Sequence, residues 1–541
     1  MEAHPVFAAR IRDESPVTRL QIRTTAVGVG GAIVAFLSIC LLRIASIKPF
    51  VAGDENQHVD YALRLWHGVL PGHLADNTVA EMPGQAVQGQ YVANHPPLYP
   101  YLVGWIFRLG MATGHPNVSV YLGRGVGALF AAAAIALMAA TAFLIGGRLR
   151  APLAIGTALV IAAVPTVIGV ATSVLNDSLA MLFSAAMLYV LARMVRDGVT
   201  IGDIVRLVIV SSLGMLSRVQ TIVPLVVCVG VFIVMALAPQ WFPSAVDAKV
   251  RRPRAWIAAG ASLVVPLLAC GWFYLLNSRR YGDLIGSHMA GPVSPVLPHD
   301  SLLSISARPG FWFYLLSQLF GRFPSSDPAA MHVTRKWPSA GGSTFYWPLI
   351  FAIAAIVVLL VGLLIVAVRR FPRARRMPEM ANSGPGIVDL RVTLIHLGLA
   401  LTLVGAIAQT ASHYSIGGSA HSRYLLGGLT IYAIAIAAAS LAWRRLRLLP
   451  LALMVVGGLG GTWITWEGVL ARRQIGLTGF LPHSVAVAMG RNGVPLSGLL
   501  TIVVGLLMLA GMGVALTAFQ RSAPTETVQG AAVPHLSGGT G

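Results

Sequence analysis

The stretch FVAGDENQHVDYALRLWHG, residues 50–68, places carboxylates beside imidazoles where the first long apolar run ends. Asp54 and Glu55 are adjacent, and His58 follows one helical turn later. A positioned carboxylate can remove a proton from a hydroxyl group. Because charged residues make up only 11% of the chain, we take this cluster as the first candidate for chemistry. The alternative is that these are ordinary loop charges that end a membrane span.

Further polar residues fall at the predicted outer ends of later apolar runs, namely Asn176, Asp177, Arg218, His413, His421 and Arg423. Ionisable groups within or beside membrane spans are functional candidates by default. Acids beside cations at a lipid interface suit the transfer of a sugar from a lipid phosphate to a hydroxyl. The carboxylate would take the proton and favour an oxocarbenium-like carbon, while the cations would stabilise the leaving phosphate.

The elements that position these residues are predicted to be membrane helices. The hydrophobic fraction is 56% and the mean hydropathy is +0.74, which is typical of a polytopic membrane protein. Spans in lipid must satisfy their own backbone hydrogen bonds, so the predicted fold class is all-α. The net charge of +20 comes mostly from Arg and Lys at the ends of apolar runs, which indicates positive-inside topology rather than nucleic-acid binding.

About twelve spans are predicted, with both termini in the cytoplasm. They form one membrane domain, 24–519, between a cytoplasmic N-terminal segment, 1–23, and a polar cytoplasmic tail, 520–541. Two long outer loops, 48–117 and 277–346, interrupt it. The predicted spans are 24–47, 118–145, 151–171, 178–192, 204–216, 219–238, 255–276, 347–368, 390–410, 424–443, 448–466 and 496–519.

Apolar residues recur at helical spacing twice within the first outer loop. The two sets are Val59, Ala62, Leu63, Trp66 and Leu70, and then Leu98, Tyr101, Leu102, Trp105 and Leu109. Asp60, Arg64 and His67 lie opposite the first set. The pattern predicts two amphipathic helices on the membrane surface, with Pro96 and Pro97 at the start of the second.

The order of short motifs resembles the GT-C superfamily of membrane glycosyltransferases. The likeness is greatest to the group of protein O-mannosyltransferases and aminoarabinose transferases, including DUF2142-type proteins. The motifs, spread over residues 54–429, are GDENQHVDYA, NHPPLYPYLVG, YLGRGVGAL with Arg124, NDSLAMLF, GMLSRVQTIVPL, NSRRYGDLIG and HSRYLLGGL. The resemblance implies an inverting transferase that uses a polyprenyl-phosphate sugar.

The resemblance also implies roles for individual residues. Asp54 would be the catalytic base, with Glu55 as its neighbour and Asp177 as a second acidic site residue. The donor phosphate would be bound by His95, Arg218, His421 and Arg423. The acceptor or sugar would be contacted by His58, Tyr99 and Asn176. Arg218 stands where the family has the lysine of an LTK-like motif, and His421–Ser422 replaces a common glutamine–glycine pair.

Structural interpretations stay open for several of these residues. Arg124 could snorkel from its span towards water. Asp177 could cap the helix that follows it, and Arg218 could be a loop charge. Tyr99 could anchor its helix at the membrane interface.

The predicted partners are a polyprenyl-phosphate sugar donor, membrane lipid, and an envelope glycan, lipid or protein acceptor. The predicted location is the plasma membrane, with the active site on its extracytoplasmic face. Asp54, Glu55 and Asp177 could hold a divalent cation, although the resemblance implies that no cofactor is required. A transporter or flippase of lipid-linked sugars, and a noncatalytic scaffold with a GT-C-like fold, are the alternative functions.

Overall fold

The computed structural model describes residues 17–51, 54–72, 77–79, 81–239, 248–286, 301–320, 350, 353–354, 356–362, 364–365, 390–415, 421–443, 446–470 and 481–523. Across these ranges the protein is helical, and the only β pairing is an isolated bridge between Asn77 and Gly89. The predicted all-α fold class is confirmed.

The α-helices are numbered in chain order. They are α1 Arg19–Ser46, α2 Glu55–Trp66, α3 Leu98–Ala112, α4 Pro116–Ile145, α5 Arg150–Ala162, α6 Pro165–Ala171, α7 Asp177–Asp197, α8 Ile201–Ser217, α9 Ile222–Leu237, α10 Ala248–Tyr281, α11 Leu302–Ser306, α12 Pro309–Leu319, α13 Leu390–Ser415, α14 Leu429–Ala442, α15 Leu448–Leu470, α16 Leu481–Arg491 and α17 Ser497–Ser522.

Within the described ranges, nine helices are long and apolar enough to cross a membrane, or ten if one bent pair is counted as a span. The chain is therefore a multi-pass membrane protein, but the predicted count of twelve is not confirmed. The predicted span 204–216 is α8, whose 17 residues reach only about 26 Å, less than a hydrocarbon core of about 30 Å. The predicted span 347–368 is described only in part.

The bent pair is α5 followed by α6, which turn by 66° at a short break. Every residue of both helices is buried, as expected for helices that are apolar on all faces. Pro165 is the first residue of α6, a position where its missing N–H costs nothing. After α6 the chain continues from Thr172 to Leu175 next to the first outer loop. This segment helps to position the site.

The first outer loop contains the two predicted helices, but α2 differs from the prediction. Its residues from Glu55 to Leu63 are all buried, so Asp60 does not face water. Asp60 accepts hydrogen bonds from the side chain of Gln90 at 2.7 Å and from the backbone N–H of Val79 at 2.7 Å. The polar side of α2 is covered by the loop that connects it to α3, and a periodicity argument could not anticipate that cover.

The second helix, α3, fits the amphipathic prediction. Tyr101, Trp105 and Leu109 are exposed on one face, while Val103 and Phe107 are buried against the rest of the protein. An exposed apolar face of this kind is expected where a helix contacts lipid. The second long outer loop, 277–346, and the polar tail after residue 523 lie mostly outside the described residues.

Candidate active site

Asp54 is the residue immediately before α2, and its carboxylate is held from two sides. Its Oδ2 accepts a hydrogen bond from Arg423 Nη2 at 2.7 Å, and its Oδ1 accepts one from the Tyr91 hydroxyl at 3.0 Å. Arg423 lies in the 3₁₀ helix Ser422–Gly428, which leads into α14. The packing thus joins the first outer loop to a segment near the far end of the chain.

Arg423 also faces a second carboxylate. Its Nη1 lies 3.8 Å from Asp177 Oδ2, and Arg218 Nη1 lies 2.6 Å from that same oxygen. Asp54, Arg423, Asp177 and Arg218 therefore form a row of alternating charge, which we call the charge row. Its four members come from four different segments of the chain, and the predicted site residues Asp54, Asp177, Arg218 and Arg423 are brought together.

Arg218 is fixed in the charge row by its neighbours. It is the capping residue directly after α8, and its side chain is only 3% exposed, so the interpretation as a loop charge is wrong. Its Nη1 donates to Asn176 Oδ1 at 2.6 Å, and its Nε donates to Gln220 Oε1 at 2.7 Å. Asn176 thus contacts Arg218, and its predicted contact with an acceptor stays a prediction.

Asp177 is the first residue of α7, and Asn176 is the capping residue. Neither side chain makes a capping hydrogen bond to the helix. The interpretation of Asp177 as a helix cap is therefore wrong, because its carboxylate is turned towards the two arginines instead. The positive end of the α7 dipole still favours an anion at this position.

Tyr424 packs against the two arginines of the charge row and was not among the residues predicted from the sequence. The Arg218 guanidinium lies 5.4 Å and the Arg423 guanidinium 5.8 Å from the centre of its ring, within the range of cation–π attraction. The rings of His413 and His421 each lie nearly perpendicular to the Tyr424 ring, with the ring centres 5.6 Å apart. Its position directly after Arg423 in HSRYLL was the only available signal.

Glu55 has an environment unlike that of Asp54. Its carboxylate is fully buried and forms a two-pronged ion pair with Arg124, at 2.8 Å from Nε and 2.7 Å from Nη2. It also accepts the backbone N–H groups of Val174 at 3.1 Å and Phe50 at 2.8 Å. Four hydrogen bonds use the capacity of this carboxylate, so its surroundings favour a structural role over catalysis.

Arg124 is buried rather than snorkelling towards water. Besides Glu55, its guanidinium donates to the backbone carbonyls of Ile47 and Lys48. These two carbonyls directly follow α1. One guanidinium therefore connects the end of α1 and the start of α2 to helix α4. A buried arginine is tolerated when its donors are all used in this way.

Three imidazoles surround Asp54. Burial lowers the pKa of His58 to about 3, and burial together with the nearby arginines lowers the pKa of His95 and of His421 well below the ordinary value. All three are therefore neutral at physiological pH. Burial opposes ionisation of Asp54, but the Arg423 guanidinium, together with His421 and His58, holds the pKa of this carboxyl well below its usual range.

Tyr99 is completely buried, so the interpretation as an interface anchor is wrong. The His58 ring lies 6.3 Å from the Tyr99 ring and 5.7 Å from the His95 ring. His58, His95 and Tyr99 therefore form a second group on the α2 side of Asp54. His95 was predicted to bind the donor phosphate, and the described contacts place its ring beside His58.

A pocket lies along the charge row, between α7, α9, α13 and the 3₁₀ helix Ser422–Gly428. Its polar edge is formed by Asp177, Arg218 and Arg423, and its apolar wall includes Val223 and Leu426. The lining thus combines two cations with apolar side chains. Within the described ranges, no three His, Cys, Asp or Glu side chains are grouped so as to hold a metal ion.

No protein-family model matches this chain, and no curated protein sequence does. Among solved structures, it is similar to ArnT from Cupriavidus metallidurans bound to undecaprenyl phosphate, with 15% identity, a TM-score of 0.41, and coverage of 93% of this chain and 77% of that chain. For the apo state of the same ArnT, the identity is 16%, the TM-score 0.41, and the coverage 91% and 76%.

The archaeal oligosaccharyltransferase AglB from Archaeoglobus fulgidus, in complex with an inhibitory peptide and a dolichol phosphate, is a further similar structure. Its identity is 12% and its TM-score 0.40, with coverage of 94% of this chain and 57% of AglB. ArnT and AglB are both GT-C proteins.

Proposed function

We propose that this protein transfers a sugar from a polyprenyl-phosphate donor to a hydroxyl acceptor, on the extracytoplasmic face of the plasma membrane. The observation that carries the proposal is the charge row beside a pocket with apolar walls. Arg218, which is buried, and Arg423, which is partly exposed, supply donors for a phosphate, and the apolar wall of the pocket suits the start of an isoprenoid chain.

In the proposed reaction, Asp54 takes the proton of the acceptor hydroxyl. The hydroxyl oxygen forms a bond to the anomeric carbon, and the bond from that carbon to the phosphate oxygen breaks. The phosphate leaves with the electron pair, and Arg218 and Arg423 stabilise its charge. Attack opposite the leaving group inverts the anomeric configuration.

The hydrogen bond between Arg423 and Asp54 adds a step to this proposal. A carboxylate held by a guanidinium is a weak base, because the charged form is already stabilised. A donor phosphate that binds Arg423 competes with Asp54 for the guanidinium. Donor binding would therefore make Asp54 more basic just when an acceptor has to be deprotonated.

A divalent cation has no part in this proposal. Asp54 and Asp177 are already paired with arginines, and Glu55 is paired with Arg124. The three arginines neutralise the carboxylates, and Arg218 and Arg423 supply the positive charge that a leaving phosphate requires.

The experiment that tests the proposal measures release of polyprenyl phosphate by protein purified into lipid. A panel of polyprenyl-phosphate sugars is supplied with crude envelope acceptors. Asp54→Asn is expected to lower release by about 10²–10⁴-fold, the usual effect of losing a general base, while donor binding persists. Glu81→Gln is the matched control, since Glu81 lies in the same outer loop and its carboxylate lies 3.6 Å from His67 Nε2 at a partly exposed position.

Two outcomes would contradict the proposal. Donor binding without release from any sugar would favour a transporter or flippase, in which no bond is broken. Equal release by wild type and Asp54→Asn would remove Asp54 from the mechanism. Assays in sealed vesicles of known orientation, with donor supplied on one side, test the proposed face.

A further inference from the structure

Three buried polar side chains from distant segments are joined by hydrogen bonds next to the charge row. Thr166 is the second residue of α6, Gln318 lies near the end of α12, and Ser422 directly precedes Arg423. Thr166 is 7% exposed, Gln318 3% and Ser422 2%. We call Thr166, Gln318 and Ser422 the hydrogen-bonded ring.

Each member of the ring contacts the other two. The Thr166 hydroxyl donates to the Gln318 backbone carbonyl at 2.7 Å. It also lies 2.9 Å from the Ser422 hydroxyl, and because its only proton is already used, the Ser422 hydroxyl is the donor there. The Gln318 side-chain Oε1 accepts the backbone N–H of Ser422 at 3.1 Å. Ser422 is therefore held through both its side chain and its backbone.

The bond from Gln318 replaces a missing helix cap. The N–H groups in the first turn of a helix have no partner within that helix. His421 is the capping residue of the 3₁₀ helix Ser422–Gly428, and its side chain makes no capping hydrogen bond. Gln318 supplies the acceptor from another part of the chain. A tertiary contact thus fixes the start of the 3₁₀ helix.

Apolar packing joins the same two elements. Leu425, in the middle of the 3₁₀ helix, belongs to a buried cluster that contains Leu315 of α12. The backbone of Arg423 is therefore held from both sides. From this position its guanidinium lies 2.7 Å from Asp54 and 3.8 Å from Asp177. A small displacement of the 3₁₀ helix would change both distances.

We propose that the hydrogen-bonded ring positions Arg423 in the charge row, with Thr166 and Gln318 as positioning residues. This inference rests on the proposed function, in which Arg423 stabilises the leaving phosphate. Ser422 stands where the family that the motifs resemble commonly has glycine, and glycine has no hydroxyl to join such a ring. The ring therefore connects α6 and α12 to the proposed phosphate site in a way that is particular to this chain.

The first measurement needs no substrate. Hydrogen exchange of the backbone amides of residues 421–428 is followed in the full-length protein in lipid nanodiscs. Thr166→Val keeps the shape of the side chain but removes the hydroxyl, and Gln318→Met removes the acceptor. Each should make exchange about 3- to 10-fold faster, the effect of losing one buried hydrogen bond. Thr141→Val is the control, because Thr141 is buried in α4 and its hydroxyl donates to the Leu137 carbonyl of the same helix.

The second measurement is a double-mutant cycle on the binding of bare polyprenyl phosphate. Thr166→Val should weaken binding by about tenfold, because displacing a binding group by about 1 Å can cost up to about 10²-fold. In protein that already carries Arg423→Gln, the same substitution should change binding by less than about twofold, since Thr166 acts through Arg423. Thr166→Ser keeps the hydroxyl and should bind nearly as wild type, as should Thr141→Val.

Two results would overturn the inference. One is equal exchange of residues 421–428 in wild type, Thr166→Val and Gln318→Met. The other is an equal loss of binding on Thr166→Val with and without Arg423, since that result indicates general damage to the fold.

The two proposals can fail separately. A protein that gives the expected exchange and binding results but never releases polyprenyl phosphate keeps the ring and loses the transferase. If wild type does not bind bare polyprenyl phosphate, the proposed function fails and hydrogen exchange alone decides about the ring. Release of polyprenyl phosphate by wild type, with binding and exchange unchanged in Thr166→Val, keeps the transferase and removes the ring from the mechanism.

Discussion

Two adjacent carboxylates, Asp54 and Glu55, have different partners and different roles. The Glu55 carboxylate accepts four hydrogen bonds within the fold, two from Arg124 and two from backbone amides. Asp54 faces Tyr91 and Arg423 at the edge of the site and keeps a side chain that is 19% exposed. The pair therefore combines the proposed base with a neighbour that holds the start of α2 in place.

We predict that Glu55→Gln destabilises the protein by about 3–5 kcal/mol, the usual cost of leaving one member of a buried ion pair alone. The guanidinium of Arg124 would then be buried without a counter-charge. The midpoint of thermal unfolding in detergent measures the effect. Arg206→Gln is the control, because the Arg206 side chain is 58% exposed and Asp203 keeps a second partner, Arg193, at 3.5 Å, so its loss should cost less than about 1 kcal/mol. Equal midpoints for the two variants would contradict the prediction.

A second residue-scale prediction concerns pH. The pKa of Asp54 lies well below its usual range, so the base is ionised throughout physiological pH, and kcat/KM for the donor should stay level from about pH 8 to 5. In Arg423→Gln, burial acts without the guanidinium that opposes it most strongly, so the pKa of Asp54 should rise. The residual kcat/KM of that variant should then fall as the pH decreases. Parallel profiles for wild type and variant would count against this pairing.

At the scale of elements, the position of Asp54 depends on how α2 and α3 pack. The Trp66 ring stacks on Tyr101 with the ring centres 5.3 Å apart, and Trp66 Nε1 donates to the Tyr101 carbonyl at 3.2 Å. Gly104 allows this contact, because a Cβ there would overlap the Trp66 ring and lie 2.9 Å from the Ala62 carbonyl.

We predict that Gly104→Val separates α2 from α3 and displaces Asp54. Overpacking of this kind costs about 1–3 kcal/mol, and release of polyprenyl phosphate should fall even in protein that remains folded. Gly125→Val in α4 is the matched control, since a Cβ at Gly125 meets nothing within 4 Å. Full activity in Gly104→Val would show that the packing of α2 on α3 does not position the base.

At the scale of the whole molecule, the first and last helices of the described chain pack closely together. A Cβ on Gly31 in α1 would lie 2.6 Å from the Gly511 carbonyl oxygen, and a Cβ on Gly511 in α17 would lie 2.6 Å from the Gly31 carbonyl oxygen. Small residues let membrane helices approach at the backbone, where van der Waals contact drives their association. Both helices also contact α5.

We expect Gly511→Val to lower the midpoint of thermal unfolding, because a larger side chain forces α1 and α17 apart. Gly513→Val tests the same substitution two residues away on α17, where a Cβ meets nothing within 4 Å. Size-exclusion chromatography after heating provides the measurement. If both variants unfold together with wild type, the close approach of α1 and α17 contributes little to stability.

The sequence by itself determined the features that depend on local order. Apolar runs of membrane length predicted most of the helices, and helical spacing predicted α3 and its apolar face. The motifs around Asp54, Asp177, Arg218 and Arg423 identified residues that the fold brings together. These inferences succeed because periodicity and span length are properties of neighbouring residues.

Only the tertiary structure decided which charges meet. Glu55 pairs with Arg124 across 69 residues, and Asp54 with Arg423 across 369 residues. It also decided that α2 is buried on its polar side, that α5 and α6 form one bent unit, and that Tyr424 lies against two guanidinium groups. An ion pair between distant segments depends on how helices pack in three dimensions, and the order of residues along one chain does not encode that distance directly.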